Sequence, residues 1–146
     1  TLYHEGAGIL PDPVDFDSDD RLVLDGMRLM AISGSYGVNG TEYRTEQNTF
    51  DKIVSYNEDA HQGPDKFMVW TKSGLIKEYG YTTNSYVEAV GKTSAMQWLV
   101  NKISDRFGNF MTFTYTEDAT NGQVYISRID YTGGQSKPTF ASVQFT

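Results

Sequence analysis

The sequence predicts an all-β fold, an antiparallel meander of short hairpins forming a curled or sandwich-like sheet. Three observations carry this expectation. Ten Tyr and eight Phe among 146 residues suit a pleated, half-buried surface. Fourteen Gly supply turns at short intervals. Asp25-Gly26 separates Leu22-Val23-Leu24 from Met27-Arg28-Leu29, the strongest short-range signal of a two-residue hairpin.

Residues 1–20 read as an irregular, acidic lead-in, because Gly6, Gly8, Pro11 and Pro13 break any period and Asp15, Asp17, Asp19 and Asp20 favour turns. In the hairpin that follows, a type I′ loop at Asp25 and Gly26 sets Leu24 against Met27 and Leu22 against Leu29, so four apolar residues share one face. Ser33 to Gly40 is a loop by composition, and Thr41–Glu46 and Thr49–Tyr56 read as strands, the second with Phe50, Val54 and Tyr56 on one face. After a turn at His61 to Asp65, Lys66–Thr71 runs to Leu75–Tyr81 through a three-residue loop with Gly74 in the left-handed position.

Residues 94–104 are two-sided. Met96, Leu99, Val100 and Ile103 have helical spacing, with Ser94 as a cap, so a short helix over 94–103 is the alternative to a strand. A strand is preferred, because Asp105 to Asn109, with Gly108 left-handed, reads as a hairpin turn into Phe110–Thr116, where Met111, Phe113 and Tyr115 alternate with threonines. Gln123–Tyr131 and Thr139–Phe145 complete the series, with a loop over residues 132–138. Residues 21–146 thus form a single β-rich module, and the strand-like run at Gln144-Phe145-Thr146 reads as part of a longer polypeptide.

Composition narrows the function. The formal charge is −7 and the twelve Lys and Arg are scattered, which argues against a phosphate-tracking surface and so against nucleic acid. No apolar run reaches the ~20 residues of a helical membrane span, so direct membrane insertion is not expected. The absence of Cys removes disulfides, thiol catalysis and thiolate metal sites.

Each chemical constellation has a plainer reading that wins. Asp15, Asp17 and Asp19 mimic the first ligands of a calcium loop, but Asp20 stands at the glycine position and Gly26 at that of the bidentate Glu, so a solvated acidic turn is preferred. His4 and His61 lack ligand spacing, and Ser33 to Gly37 lacks the nucleophile-elbow pattern. Glu42, Glu46 and Asp51 suit the polar faces of strands better than a glycosidase pair. Neither catalytic residues nor a cofactor are expected. Trp70 and Tyr79 are the candidates for stacking on a sugar, in an alternative reading as a carbohydrate-binding β-module.

The order of motifs adds a resemblance. Phe16 to Leu29, Gly40 to Glu46, Gly63 to Val69, Thr71 to Leu75, Tyr79-Gly80, Trp98 to Ile103, Asp105 to Asn109 and Ile129 to Tyr131 form a collinear series over about residues 14–134. It resembles RHS/YD-repeat proteins, more narrowly the region joining the SpvB-type domain to the RHS shell in insecticidal toxin-complex B subunits. No cluster of further YD repeats follows Phe110-Met111-Thr112-Phe113. The resemblance implies a non-catalytic structural segment of a large exported protein, extracellular or at the cell surface, within a β-shell or neck that houses a toxic carboxy-terminal segment. The partners it implies are the rest of the same polypeptide and other toxin-complex subunits.

Overall fold

The computed structural model describes residues 20–57, 63–88, 95–118 and 123–146, together with the backbone of residues 2–4. These residues form strands joined by turns, with no helix among them. The first seven strands are β1 (Leu2–His4), β2 (Asp20–Leu24), β3 (Met27–Ser33), β4 (Glu42–Thr45), β5 (Lys52–Tyr56), β6 (Lys66–Trp70) and β7 (Ile76–Tyr79). They are followed by β8 (Tyr86–Glu88), β9 (Ala95–Trp98), β10 (Val100–Ser104), β11 (Phe110–Asp118), β12 (Gln123–Gly133) and β13 (Ala141–Gln144). Eleven strands make one sheet in the order β1 to β7, then β10 to β13, while β8 and β9 form a separate two-stranded hairpin. Every pairing is antiparallel, so the expected meander is present.

The β2–β3 hairpin is built as its turn chemistry demands. Asp25 and Gly26 both have positive φ, 50° and 76°, and the register sets Leu24 opposite Met27 and Val23 opposite Arg28. That is the type I′ geometry, whose twist matches the strands it joins. Gly74 (φ 89°) and Gly108 (φ 82°) also occupy the left-handed positions assigned to them.

Three expectations need correction. The lead-in is not irregular throughout, because Leu2–His4 pairs with Asp20–Leu22 along the outer edge of β2, which would otherwise present unpaired backbone groups. The alternative helix over 94–103 is absent where the structure describes it, at residues 95–103. The run instead divides at Leu99 into β9, which pairs with β8, and β10, which enters the main sheet. Phe50 does not share a strand face with Val54 and Tyr56. It lies in a turn with φ 63°, where its N–H donates to Asn48 Oδ1 (3.2 Å), and its ring is exposed. Local hydrogen bonding at Asn48 outcompetes strand extension there.

The core contains Leu22, Leu29, Tyr43, Ile53, Phe67, Val69 and Trp98. Leu22 and Leu24 of β2, Leu29 of β3 and Tyr79 of β7 line one cavity of about 30 Å³. In a flat sheet β2 and β7 would be five strand spacings apart, roughly 24 Å. Strands β2 to β7 therefore curl so that one face closes on itself. Trp98 enters from the β8–β9 hairpin and meets Phe67 edge-on, with ring centroids 4.9 Å apart.

Gly80 marks where the hairpin passes close to the sheet. Its φ is 76°, and a Cβ there would stand 2.8 Å from the Trp98 ring and 2.9 Å from the Asp65 carbonyl oxygen. Gly26 has the same φ but open space around it. Gly26→Ala is therefore expected to cost about 1 kcal/mol from backbone strain alone, and Gly80→Ala about 3 kcal/mol or more from strain and overpacking together. Urea unfolding of the two variants checks this ranking, and equal losses would contradict the close approach.

Candidate functional site

The antiparallel registers assign each residue to one of two sheet faces, because directly opposed residues point the same way. One row on the inner face passes from Tyr43 to Ile53, Val69, Lys77, Ile103 and Met111 through successive pairings. Two residues beyond Met111, Phe113 continues it through Ile129 to Val143. The sheet thus carries one inner face from its first half to its last strand, interrupted midway by Lys77.

In the first half this face is sealed by aromatic rings and hydroxyls. Tyr36 and Tyr43 meet edge-on at 5.3 Å, and Tyr43 lies 6.4 Å from Phe67, which leads on to Trp98. Tyr43 is fully buried, and its hydroxyl accepts the Gly37 N–H at 2.8 Å. The Tyr36 hydroxyl accepts the Leu22 N–H (2.8 Å) and donates to the Leu29 carbonyl (3.1 Å), tying β2 to β3. Burial pushes the Tyr36 phenol up to about 12, against the opposing effect of the Leu22 N–H. Burial likewise pushes Tyr79 up to about 12, and the carboxylates of Asp25 and Asp51 add to it.

The β8–β9 hairpin is held by buried polar groups. Ser85 Oγ accepts the Thr82 N–H and donates to the Thr82 carbonyl, while the Ser85 carbonyl accepts the Leu99 N–H at 2.7 Å. Asn101 Oδ1 accepts the Tyr81 N–H at 3.1 Å. The Trp98 indole N–H, buried, has no hydrogen-bond partner among the described residues.

In the second half the same inner face is open. Tyr115 is buried, its hydroxyl donating to the Val100 carbonyl at 2.6 Å, but Met111, Tyr131, Val143 and Phe145 are exposed. At the turn end of β10 and β11 a groove of about 460 Å³ opens beside Ile103, Met111 and Phe110. Thr132 lies on its wall with φ 66°, a conformation rare for a β-branched residue.

The outer face carries the charge pairs. Glu42 meets Arg44 (2.9 Å) and Lys52 (3.5 Å), Lys102 meets Glu78 (3.6 Å), and Arg128 meets Asp130 (2.7 Å). Trp70 lies on this face, opposite Ile76, with Lys52 Nζ 5.6 Å from its ring centroid. Tyr79 lies opposite Phe67 on the inner face. The two residues assigned to sugar stacking therefore point to opposite sides of the sheet and form no common platform. Their register, three residues out of phase across β6, is the physical reason.

Other side chains with chemical potential are held in turns. Asp51 accepts from Thr49 Oγ1 (3.2 Å) and from the Lys72 N–H (3.2 Å). Asp105 Oδ1 accepts the N–H groups of Phe107 (2.8 Å) and Asn109 (3.0 Å), and Asp105 Oδ2 accepts from Asn109 Nδ2 (2.9 Å). The Asn109 side chain first, then these backbone donors, hold the Asp105 carboxyl below the usual range. Its role was readable from the Asp-x-x-Gly-Asn turn pattern. Those of Tyr36, Ser85 and Asn101 had no local signal. Asp15, Asp17 and Asp19, like His61, lie outside the described residues, and among those described no cluster of three or more metal-ligating side chains occurs.

Comparison with known proteins bears on this architecture. The family model described as SpvB, Salmonella virulence plasmid 65kDa B protein, matches residues 15–141. No curated protein matches the chain. Among solved structures, the N-terminal domain of effector protein SpvB from Salmonella typhimurium strain LT2 is similar at a TM-score of 0.70 with 14% identity, over 96% of this chain and 53% of that one. The chain thus spans about half the length of that domain.

The raised phenols give a pH signature. The folded-state values of Tyr36 and Tyr79, about 12, exceed the ordinary phenol value of 10.0, so the folded state disfavours their ionisation. Stability is then complete below about pH 10 and falls as pH rises through about 12. Urea midpoints measured across that window should decline, and Tyr36→Phe or Tyr79→Phe should flatten the decline. A slope unchanged in both variants would contradict the burial.

Proposed function

The chain belongs to the SpvB family, and from that premise we propose that it is a non-catalytic structural segment of a large exported toxin-like protein. It contributes to a β-shell or neck that houses a toxic carboxy-terminal segment of the RHS type, outside the producing cell or at its surface. Its partners are the rest of its own polypeptide and, through it, other subunits of a toxin complex. Glycan binding is set aside, because Trp70 and Tyr79 lie on opposite sheet faces.

The observation that carries this reading is the use to which the polar side chains are put. Tyr36, Tyr43 and Asp105 bond the backbone of the fold itself, and Glu42 is engaged by two cations on the same sheet face. A catalytic group needs access to a reacting atom and the freedom to change its protonation or bonding. These groups serve instead as ties between strands and turns, which suits a wall.

In the parent polypeptide, Glu42→Gln, Asp51→Asn and Asp105→Asn are expected to leave the activity of the housed segment within about 2-fold of wild type, since each carboxylate is engaged by the fold's own groups. Tyr43→Ala, which empties the core, should expose that segment to added protease. Loss of turnover in an amide variant that stays folded would overturn the structural reading.

A further inference from the structure

The inner face of β10 to β13 is an unfinished layer. It continues the row that is buried in the first half, from Tyr43 through Val69 to Met111 and Val143. Yet Met111 is 38% exposed, Val143 45% and Phe145 48%. The reverse side of the same strands is dressed for water, with the Lys102–Glu78 and Arg128–Asp130 pairs on it. A sheet with one charged and one apolar face buries the apolar one against another layer. In the first half the curl and Trp98 supply that layer. In the second half nothing among the described residues does.

We infer that the inner face of β10 to β13 is the docking surface for a further segment of the same polypeptide, packed as a second layer over Met111, Phe113, Ile129 and Val143. This rests on the reading of the chain as a structural segment of a longer SpvB-type protein. Three observations favour this occupant over a second copy of the chain or an unrelated protein. The surface is continuous with the established core, as an intradomain interface is. The similar SpvB N-terminal domain is nearly twice as long, this chain covering 53% of it, which leaves as much chain again to supply the layer. The groove of about 460 Å³ beside Ile103 and Met111 gives the incoming layer a recess for a large side chain.

The last strand agrees with this assignment. β13, Ala-Ser-Val-Gln, contains no Lys, Pro or bulge, the devices that keep a free edge from pairing. Its neighbours Phe140 and Phe145 are exposed as well. A surface of this kind is suited to permanent cover.

The test uses the full-length parent polypeptide with cysteine placed on either face of β13, after replacing any native reactive cysteine elsewhere. Val143→Cys points inward and Ser142→Cys outward on the same strand, so the edge is common to both. Met111→Cys and Thr112→Cys repeat the comparison on β11. Under native conditions, labelling by a maleimide is expected to be at least ~10-fold slower at 143 and 111 than at 142 and 112, because reaction needs thiolate access. A photo-crosslinker at position 143 should join to a peptide of the same chain.

Equal labelling of the two faces would overturn the docking surface, as would a crosslink to a second copy or to another protein. The outcomes separate from those of the structural reading. Equal labelling with the amide variants still active removes the second layer alone, whereas slow inner labelling with turnover lost in an amide variant removes the structural role alone.

Discussion

The insertion of Trp98 against Phe67 is the contact on which the folded arrangement depends. A single antiparallel sheet exposes two faces, and the alternation of its strands decides only which residues share a face, not whether that face is covered. In β2 to β7 the cover comes from the sheet curling over itself and from one tryptophan delivered by a hairpin outside the sheet. Ser85, Asn101 and the left-handed Gly80 are there to let that hairpin come close enough. The aromatic row from Tyr36 through Tyr43 and Phe67 to Trp98 spans the interior so formed.

The hydroxyls matter as much as the rings. A buried backbone N–H without a partner costs about 1–3 kcal/mol, a penalty that the Tyr36 hydroxyl spares buried Leu22. Tyr43 supplies the acceptor for Gly37, and Tyr36 serves both β2 and β3. The high tyrosine content is thereby explained in part by architecture: the phenol is large enough to fill the curl and polar at the tip where loops cross it.

Turns were the legible part of the sequence, because their chemistry is local. Asp25-Gly26, Gly74 and Gly108 each adopt the backbone their residue types favour. The strand at 95–104 was legible in type but not in its division, since nothing local tells Ala95–Trp98 to leave the main sheet and Val100–Ser104 to rejoin it. Phe50 was misplaced because an aromatic in the left-handed region runs against its intrinsic preference. Trp70 and Tyr79 could be set on opposite faces only once the β6–β7 register was known. Whether an apolar face is covered is a tertiary fact: the alternation of Met111, Phe113 and Tyr115 with threonines marks a face of β11 without saying what lies over it.

The chain is thus one sheet in two conditions, closed over β2 to β7 and open over β10 to β13, within a chain of the SpvB family. Native-state hydrogen exchange on the 146-residue chain tests it most directly. Amides of β4 to β6, beneath Tyr43 and Phe67, should exchange only through global unfolding, and those of β12 and β13 on the order of 100-fold faster through local opening. Uniform protection across both halves would contradict it.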